Sequence, residues 1–141
     1  MIILDTNVVS EPLKPSPDAN VLTWLSRQTP ATLFITAFTK AELLAGLEKM
    51  PAGRRRDALE HAINAQVQTL FDQRVLQFDS DCALPFAKLV AAANRVGNSI
   101  CFPDAAIAAI AITWEFQVAT RNVDDFVDTG VKIINPWLAV Q

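Results

Sequence analysis

Short apolar runs alternate along the chain with longer stretches in which apolar residues recur every three or four positions. Each apolar run has the length of a β-strand, and the runs cover residues 1–4, 32–36, 75–78, 116–120 and 131–134. The longer periodic stretches between these runs predict amphipathic helices. Because strands that alternate with helices form parallel sheets with right-handed crossovers, the pattern predicts an α/β fold whose sheet is covered on both faces.

Prolines and polar residues mark the ends of the first predicted helices. Closely spaced prolines limit the first of them to a short helix or turn over residues 8–13, and a second helix ends near Gln28. Thr39 and Glu42 match a capping box, in which a Thr and a Glu three residues later satisfy free backbone amides. A third helix is therefore predicted to be capped by Thr39.

The later helices differ strongly in charge. Arginines 54–56 open the fourth helix, where they oppose the helix dipole; a solvated helix start is the favoured interpretation, and a binding role stays open. A fifth helix follows Asp81 and ends at Gly97. The helix that begins at Pro103 and Asp104 is apolar on all sides, which predicts that it is the central, buried helix.

Composition restricts the class of protein. The chain has 141 residues, 51% hydrophobic and 19% charged, as expected for one globular domain over residues 1–141. The net charge of −3 argues against nucleic-acid binding by a basic surface alone, so such a partner would require local basic patches or bound cations.

Cysteine usage and hydropathy predict the compartment. Cys82 and Cys101 provide neither a disulfide framework nor metal-ligand spacing, and both are expected to be small buried side chains in a reducing cytosol. We find no signal peptide at the N-terminus and no apolar stretch long enough to span a membrane. A cytoplasmic protein without membrane contact is therefore expected.

Isolated carboxylates follow several of the predicted strands or begin helices: Asp5, Glu42, Asp104 and Asp125, together with the amide of Asn122. A purely structural role stays open for three of them, because Asp5 suits a helix N-cap, Glu42 the capping box and Asp104 the helix dipole. Since the carboxyl ends of parallel strands share one edge of the sheet, we expect all five side chains to gather there.

The residue types in this set indicate a reaction class. Hard oxygen ligands suit Mg²⁺ or Mn²⁺, which activates water and stabilises charge on a phosphoryl oxygen. The sequence has no Ser–His or Cys–His pairing, no glycine-rich phosphate loop and no zinc-ligand spacing. Metal-dependent hydrolysis of phosphodiesters is the chemistry that the residues permit.

Four segments, in order along nearly the whole chain, resemble motifs of the PIN-domain ribonucleases. The resemblance is to the VapC-type toxins of bacterial toxin–antitoxin pairs, in the FitB-like branch. The matching segments are residues 3–11; residues 35–37 and 41–43 with Gly46 and 53–56; residues 103–109; and residues 119–126 with 134–137.

The resemblance implies a three-layer α/β/α domain around a parallel five-stranded sheet. It also implies an Mg²⁺- or Mn²⁺-dependent endonuclease that hydrolyses RNA, forms a homodimer and is inhibited by a small antitoxin protein. By position, Asp5 and Asp104 are the main metal ligands, and Glu42 completes the acidic set partly through water. Asn122 stands where many relatives have Asp, so Asp125 is expected to supply the missing charge.

Two other functions stay open. In an aspartate-nucleophile phosphatase or phosphotransferase, Asp5 would attack phosphorus itself, but such folds require a second acid two residues later, where this chain has Asn7. A non-catalytic PIN-like module would only dock other proteins. The presence of Asp5, Glu42 and Asp104 argues against such a loss of catalysis.

Overall fold

The computed structural model describes residues 1–138, and its five strands form one parallel sheet. The strands are β1 (Ile2–Leu4), β2 (Leu33–Thr36), β3 (Val75–Leu76), β4 (Gln117–Ala119) and β5 (Ile133–Ile134). Their order in the sheet is β3-β2-β1-β4-β5, so the chain moves outward from β1 on one side and then returns to its other side. The order therefore reverses between β1 and β4, and this switch point is where α/β sheets of this kind bind ligands.

Six α-helices and several short 3₁₀ segments connect the strands within the described residues. The α-helices are α1 (Thr6–Ser10), α2 (Ala19–Ser26), α3 (Ala37–Glu48), α4 (Arg54–Phe71), α5 (Ala83–Arg95) and α6 (Phe102–Trp114). The 3₁₀ segments are Glu11–Leu13, Pro30–Thr32, Ser80–Cys82 and Val123–Thr129.

Two apolar clusters lie on opposite faces of the sheet. Leu4 belongs to the cluster that packs α1 to α4, whereas the preceding residue, Ile3, belongs to the cluster that packs α5 and α6. This division follows from the alternation of side chains along a strand. The result is a three-layer α/β/α domain with a five-stranded parallel sheet, which confirms the predicted fold.

Helix α6 is the buried central helix that its composition predicts. Residues 105–111 are all buried, and the small alanines among them let the helix lie close to its neighbours. Asp104, which directly precedes this stretch, is only half-buried, so the helix presents this carboxylate at the boundary of the core.

The prediction that Thr39 caps the third helix is wrong. Helix α3 begins at Ala37 and its N-cap is Thr36, whose hydroxyl accepts a hydrogen bond from the Thr39 amide at 3.2 Å. Thr36 ends β2 in an extended conformation, which an N-cap requires, whereas Thr39 lies inside the helix and is fully buried.

Strand β3 is shorter than the apolar run 75–78 predicts. Its last residue, Leu76, pairs with Thr36, and the chain turns into α3 immediately after Thr36. Residues 77–78 therefore have no residues of β2 to pair with. Hydropathy alone does not reveal where the partner strand ends.

The prediction that both cysteines are buried holds for Cys82 and is wrong for Cys101. Cys101 is exposed because it is the N-cap residue of α6, in the loop that leads to the acidic edge. Within the described residues no helix has the length and apolarity needed to cross a bilayer. The cytoplasmic location and the single domain over residues 1–141 stay predictions, and residues 139–141 lie outside the described part.

Candidate active site

Asp5 lies at the carboxyl end of the central strand, between the end of β1 and the start of α1. Only 6% of its surface is exposed, yet both carboxylate oxygens accept hydrogen bonds. Oδ1 accepts from the Thr6 amide at 2.8 Å, and Oδ2 accepts from the Thr120 hydroxyl at 2.7 Å. Asp5 is therefore the N-cap of α1, as the capping interpretation proposed, and its side chain is also fixed by the neighbouring strand.

Thr120 is a buried residue of this site that sequence reasoning missed. Besides donating to Asp5, its hydroxyl oxygen accepts from Asn7 Nδ2 at 3.3 Å and from the Asn122 amide at 3.1 Å. These three bonds use the full hydrogen-bonding capacity of a hydroxyl. A threonine at the end of an apolar run resembles an ordinary strand residue, and the only available signal was its place beside Asp5 at the switch point.

Asp104 is the third residue of α6 and experiences the charges of the other acids. Burial raises the pKa of its carboxyl above the ordinary value of 3.8, and the negative charges of Asp5, Asp125 and Glu42 raise it further. A hydrogen bond from the Cys101 thiol, with Sγ 2.8 Å from Oδ2, acts in the opposite direction on this pKa. The charges of the three other predicted carboxylates therefore act on Asp104.

Asp104 and Asp125 line one cleft of about 180 Å³. Cys101 also lines it, as do two further acids, Asp124 and Asp128. The cleft is therefore rich in carboxylates, although sequence reasoning selected only Asp104 and Asp125 from them.

The remaining predicted residues lie beside this cleft. Asn122 is exposed and shares a second, more open cleft with Asp124 and Asp125. Glu42 is exposed on α3, and neither it nor Asp5 lines the first cleft. The predicted set is thus distributed around the acidic edge rather than gathered in one cavity.

Comparison with known proteins identifies the family. The family model described as "PIN domain" matches residues 2–132. The chain belongs to the PIN-domain family. This PIN domain is similar to the VapC ribonuclease Y4jK of Sinorhizobium fredii, with 44% identity over 137 residues, 97% of this chain and 98% of that protein.

A second relative has a solved structure. The toxin FitB of Neisseria gonorrhoeae is 36% identical over 137 residues, 97% of this chain and 99% of that protein. The crystal structure of FitAcB from the same species matches the PIN domain with a TM-score of 0.93 and 36% identity, covering 98% of this chain and 99% of that one. These matches confirm the family and the fold that the sequence motifs indicated.

The donor chemistry of this PIN domain suits a hard divalent cation. The four carboxylates supply oxygen ligands, and neither of the two ion pairs found within residues 1–138 involves any of them. In the same residues no three acidic, histidine or cysteine side chains converge closely enough to hold one ion together. Because Mg²⁺ keeps several waters and takes few carboxylates, the set fits in type and charge without a closed cage.

Glu11 is a buried acid whose role the motif did not indicate. It is 4% exposed, and its carboxylate accepts from Lys14 Nζ at 2.6 Å and from the Asp18 amide at 2.9 Å. The hydrogen bond from Lys14 is the main cause that lowers the pKa of Glu11 below its ordinary value of 4.5. Glu11 therefore fastens the proline-rich loop that follows α1 and is not one of the uncompensated acids.

Proposed function

We propose that this chain is a metal-dependent endoribonuclease, which hydrolyses phosphodiester bonds of RNA and acts as the toxin of a toxin–antitoxin pair. The observation that carries the proposal is the acidic edge at the switch point, where Asp104 and Asp125 line one cleft and Asp5 follows the central strand. Uncompensated acids at the switch point of an α/β sheet are suited to bind a cation. The similarity to the VapC ribonuclease Y4jK supports the same reaction, and the similarity to the toxin FitB supports the role as a toxin.

Asp5 and Asp104 are the proposed main ligands, and Glu42 completes the set partly through water. When bound, Mg²⁺ or Mn²⁺ supplies an activated water and stabilises the charge that develops on a phosphoryl oxygen. The protein contributes a fixed ligand, because Asp5 is held by the Thr120 hydroxyl and by the Thr6 amide. Such support of a ligand from outside the metal's own coordination is common in metal sites.

Asp125 is proposed to supply the charge that Asn122 lacks. Asn122 offers only a neutral oxygen, whereas Asp125 lines the cleft with Asp104 and raises the pKa of that carboxyl. Asn122 and Asp125 also line the second, more open cleft together. We therefore place the catalytic charge at Asp125 and keep Asn122 as a neutral ligand of the same ion.

A small antitoxin protein is the proposed partner, and a homodimer the proposed assembly. The similarity to the toxin FitB over nearly the whole chain supports the role as a toxin, which an antitoxin would inhibit. None of the four predicted carboxylates forms an ion pair among residues 1–138, so an arginine donated by an antitoxin would pair with carboxylates there.

Asp5 is poorly placed to act as a covalent nucleophile. Both of its oxygens accept hydrogen bonds, which hold the carboxylate in one orientation and lower its nucleophilicity. Asn7, where a phosphatase of this type requires an acid, instead places its amide 3.4 Å from Asp5 Oδ2. Trapping of a covalent aspartyl-phosphate on Asp5 would reverse this assignment.

Growth of a bacterial host tests the proposal. The chain and its Asp5→Asn variant are induced in parallel, with total RNA examined by electrophoresis. We expect the parent chain to arrest growth with the appearance of RNA fragments and the variant to do neither. Equal growth with both proteins folded, and no Mn²⁺ binding by calorimetry, would instead indicate a non-catalytic PIN-like module.

A further inference from the structure

Arg121 follows Thr120 directly and carries an exposed positive charge at the acidic edge. Its guanidinium carbon lies 5.5 Å from the centroid of the Trp137 ring, in the geometry of a cation–π contact. Within residues 1–138 Arg121 forms no ion pair. The indole therefore restricts the guanidinium while its N–H groups stay available to an outside anion.

The backbone of Arg121 connects this cation to the candidate site. Its amide donates to Asn7 Oδ1 at 3.3 Å, two residues after Asp5 in the chain. Arg121 also lines the open cleft of about 480 Å³ that Asn122 and Asp125 line. A cation is thus built into the rim of the acidic site.

A buried acid that experiences the charge of Arg121 is already paired with another cation. Glu11 experiences the Arg121 charge, but its pKa is lowered mainly by the hydrogen bond from Lys14, at 2.6 Å from the carboxylate. In contrast, Arg56 in the basic triplet is already bound, to Glu48 at 3.3 Å and to the Met50 carbonyl at 3.1 Å. Arg121 therefore combines an available charge with proximity to the site.

We propose that Arg121, held by Trp137, binds a backbone phosphate of the RNA substrate next to the acidic edge. This inference rests on the proposed function, and it explains how an acidic protein holds a polyanionic RNA next to its acidic edge. A guanidinium presents a fork of N–H donors that matches two phosphate oxygens. With a net charge of −3, the chain needs such a local cation for attraction to phosphate.

Salt-dependent RNA binding separates this role from a structural one. Fluorescence anisotropy is measured with a labelled single-stranded RNA of mixed sequence, in the Asp5→Asn background so that the RNA stays intact. Adding Arg121→Gln should weaken binding about tenfold through loss of one charged contact. It should also reduce the slope of log affinity against log salt by about 0.7, the value for one phosphate of a single strand.

Three further variants control the result. Arg27→Gln removes an exposed charge at the end of α2, on the chain segment that leads to the amino end of β2. Because the acidic site lies at the carboxyl ends of the strands, this variant should leave the affinity and the slope unchanged. Arg121→Lys keeps the charge, so the slope should return even where affinity stays lower. Trp137→Leu should weaken binding without altering the slope, since the charge remains.

The outcomes distinguish this proposal from the proposed function. If the parent chain cleaves RNA but Arg121→Gln shows the same slope as Arg27→Gln, the role of Arg121 is contradicted and the ribonuclease is not. If the Asp5→Asn protein binds no RNA, the proposed phosphate contact of Arg121 is also contradicted, because that contact is proposed to form without the metal. If the parent chain neither binds nor cleaves RNA, both proposals fail.

Discussion

The hydroxyl of Thr120 donates a 2.7 Å hydrogen bond to Asp5 Oδ2, which joins the carboxyl ends of β4 and β1. Thr120 is fully buried, and the Thr6 amide holds the other oxygen of the carboxylate at 2.8 Å. The orientation of Asp5 is therefore set by two neighbouring parts of the fold. A ligand fixed in this way requires no reorganisation when it binds a cation or supports a reaction.

Thr120→Val is expected to reduce RNA cleavage and Mn²⁺ affinity by about 10- to 100-fold, as removal of a ligand's supporting partner does. Valine also removes the 2.7 Å donor to the buried Asp5 Oδ2, at a cost of about 1–3 kcal/mol in unfolding free energy. Thr120→Ser keeps the hydroxyl and should retain most activity. Cleavage rates and Mn²⁺ calorimetry on both variants check this, and equal activity of the valine variant would remove Thr120 from the site.

Asp104→Asn is expected to abolish cleavage without unfolding the domain. The raised pKa of Asp104 means that its ionised form is less favourable in the fold than in the unfolded chain. This cost grows as the pH rises above 3.8, the ordinary value, and is complete above the folded-state pKa. The metal-free variant should therefore unfold at a temperature at least as high as that of the parent at pH 7.

The unfolding temperature measured with and without Mn²⁺ tests whether Asp104 is a metal ligand. A ligand that binds only the folded state raises the unfolding temperature, so Mn²⁺ should stabilise the parent and not Asp104→Asn. A variant that is poorly folded without metal would return Asp104 to a capping role in α6.

Asp125→Asn is expected to weaken Mn²⁺ binding and cleavage by about tenfold or more, since it removes a ligand charge from the cleft. Asp124→Asn is the matched control, because Asp124 lines the same clefts and is not a proposed ligand. Asn122→Asp should strengthen Mn²⁺ binding by adding a charged oxygen. Calorimetry on the three variants decides the assignment, and equal losses from Asp124 and Asp125 would refute it.

Glu11→Gln is expected to lower the thermal unfolding midpoint at pH 7. Because the pKa of Glu11 is lowered from 4.5 mainly by Lys14, its contribution is fully present above pH 4.5 and is lost as the pH falls through the folded-state pKa. The difference between parent and variant should therefore shrink on acidification. Melting curves between neutral and acidic pH test this, and a constant difference would show that charge is not the cause.

The architecture was predictable because strands and helices alternate clearly and α6 is apolar on all sides. The exact ends of the strands were less predictable, since they depend on which strands pair. Strand β3 ends at Leu76 because β2 ends opposite it at Thr36. The cap of α3 was misplaced for a related reason. Thr36 and Thr39 both suit an N-cap by residue type, and only the end of β2 selects between them.

The candidate acids were selected from their places after strands or near the starts of helices, but their supporting contacts could not be predicted. Thr120 lies 115 residues from Asp5 in the chain, and only the pairing of β1 with β4 brings the two together. Cys101 was predicted to be buried from residue type alone. Its exposure and its contact with Asp104 follow from its place at the start of α6.

Cleavage of RNA by the purified chain is the most direct test of the central claim. The parent, Asp5→Asn and Asp104→Asn are incubated with labelled RNA in Mn²⁺ and separately in chelator. We predict endonucleolytic products from the parent in Mn²⁺ alone and none from either variant. Cleavage that persists in chelator, or equal cleavage by the parent and both variants, would contradict a metal-dependent site built on these carboxylates.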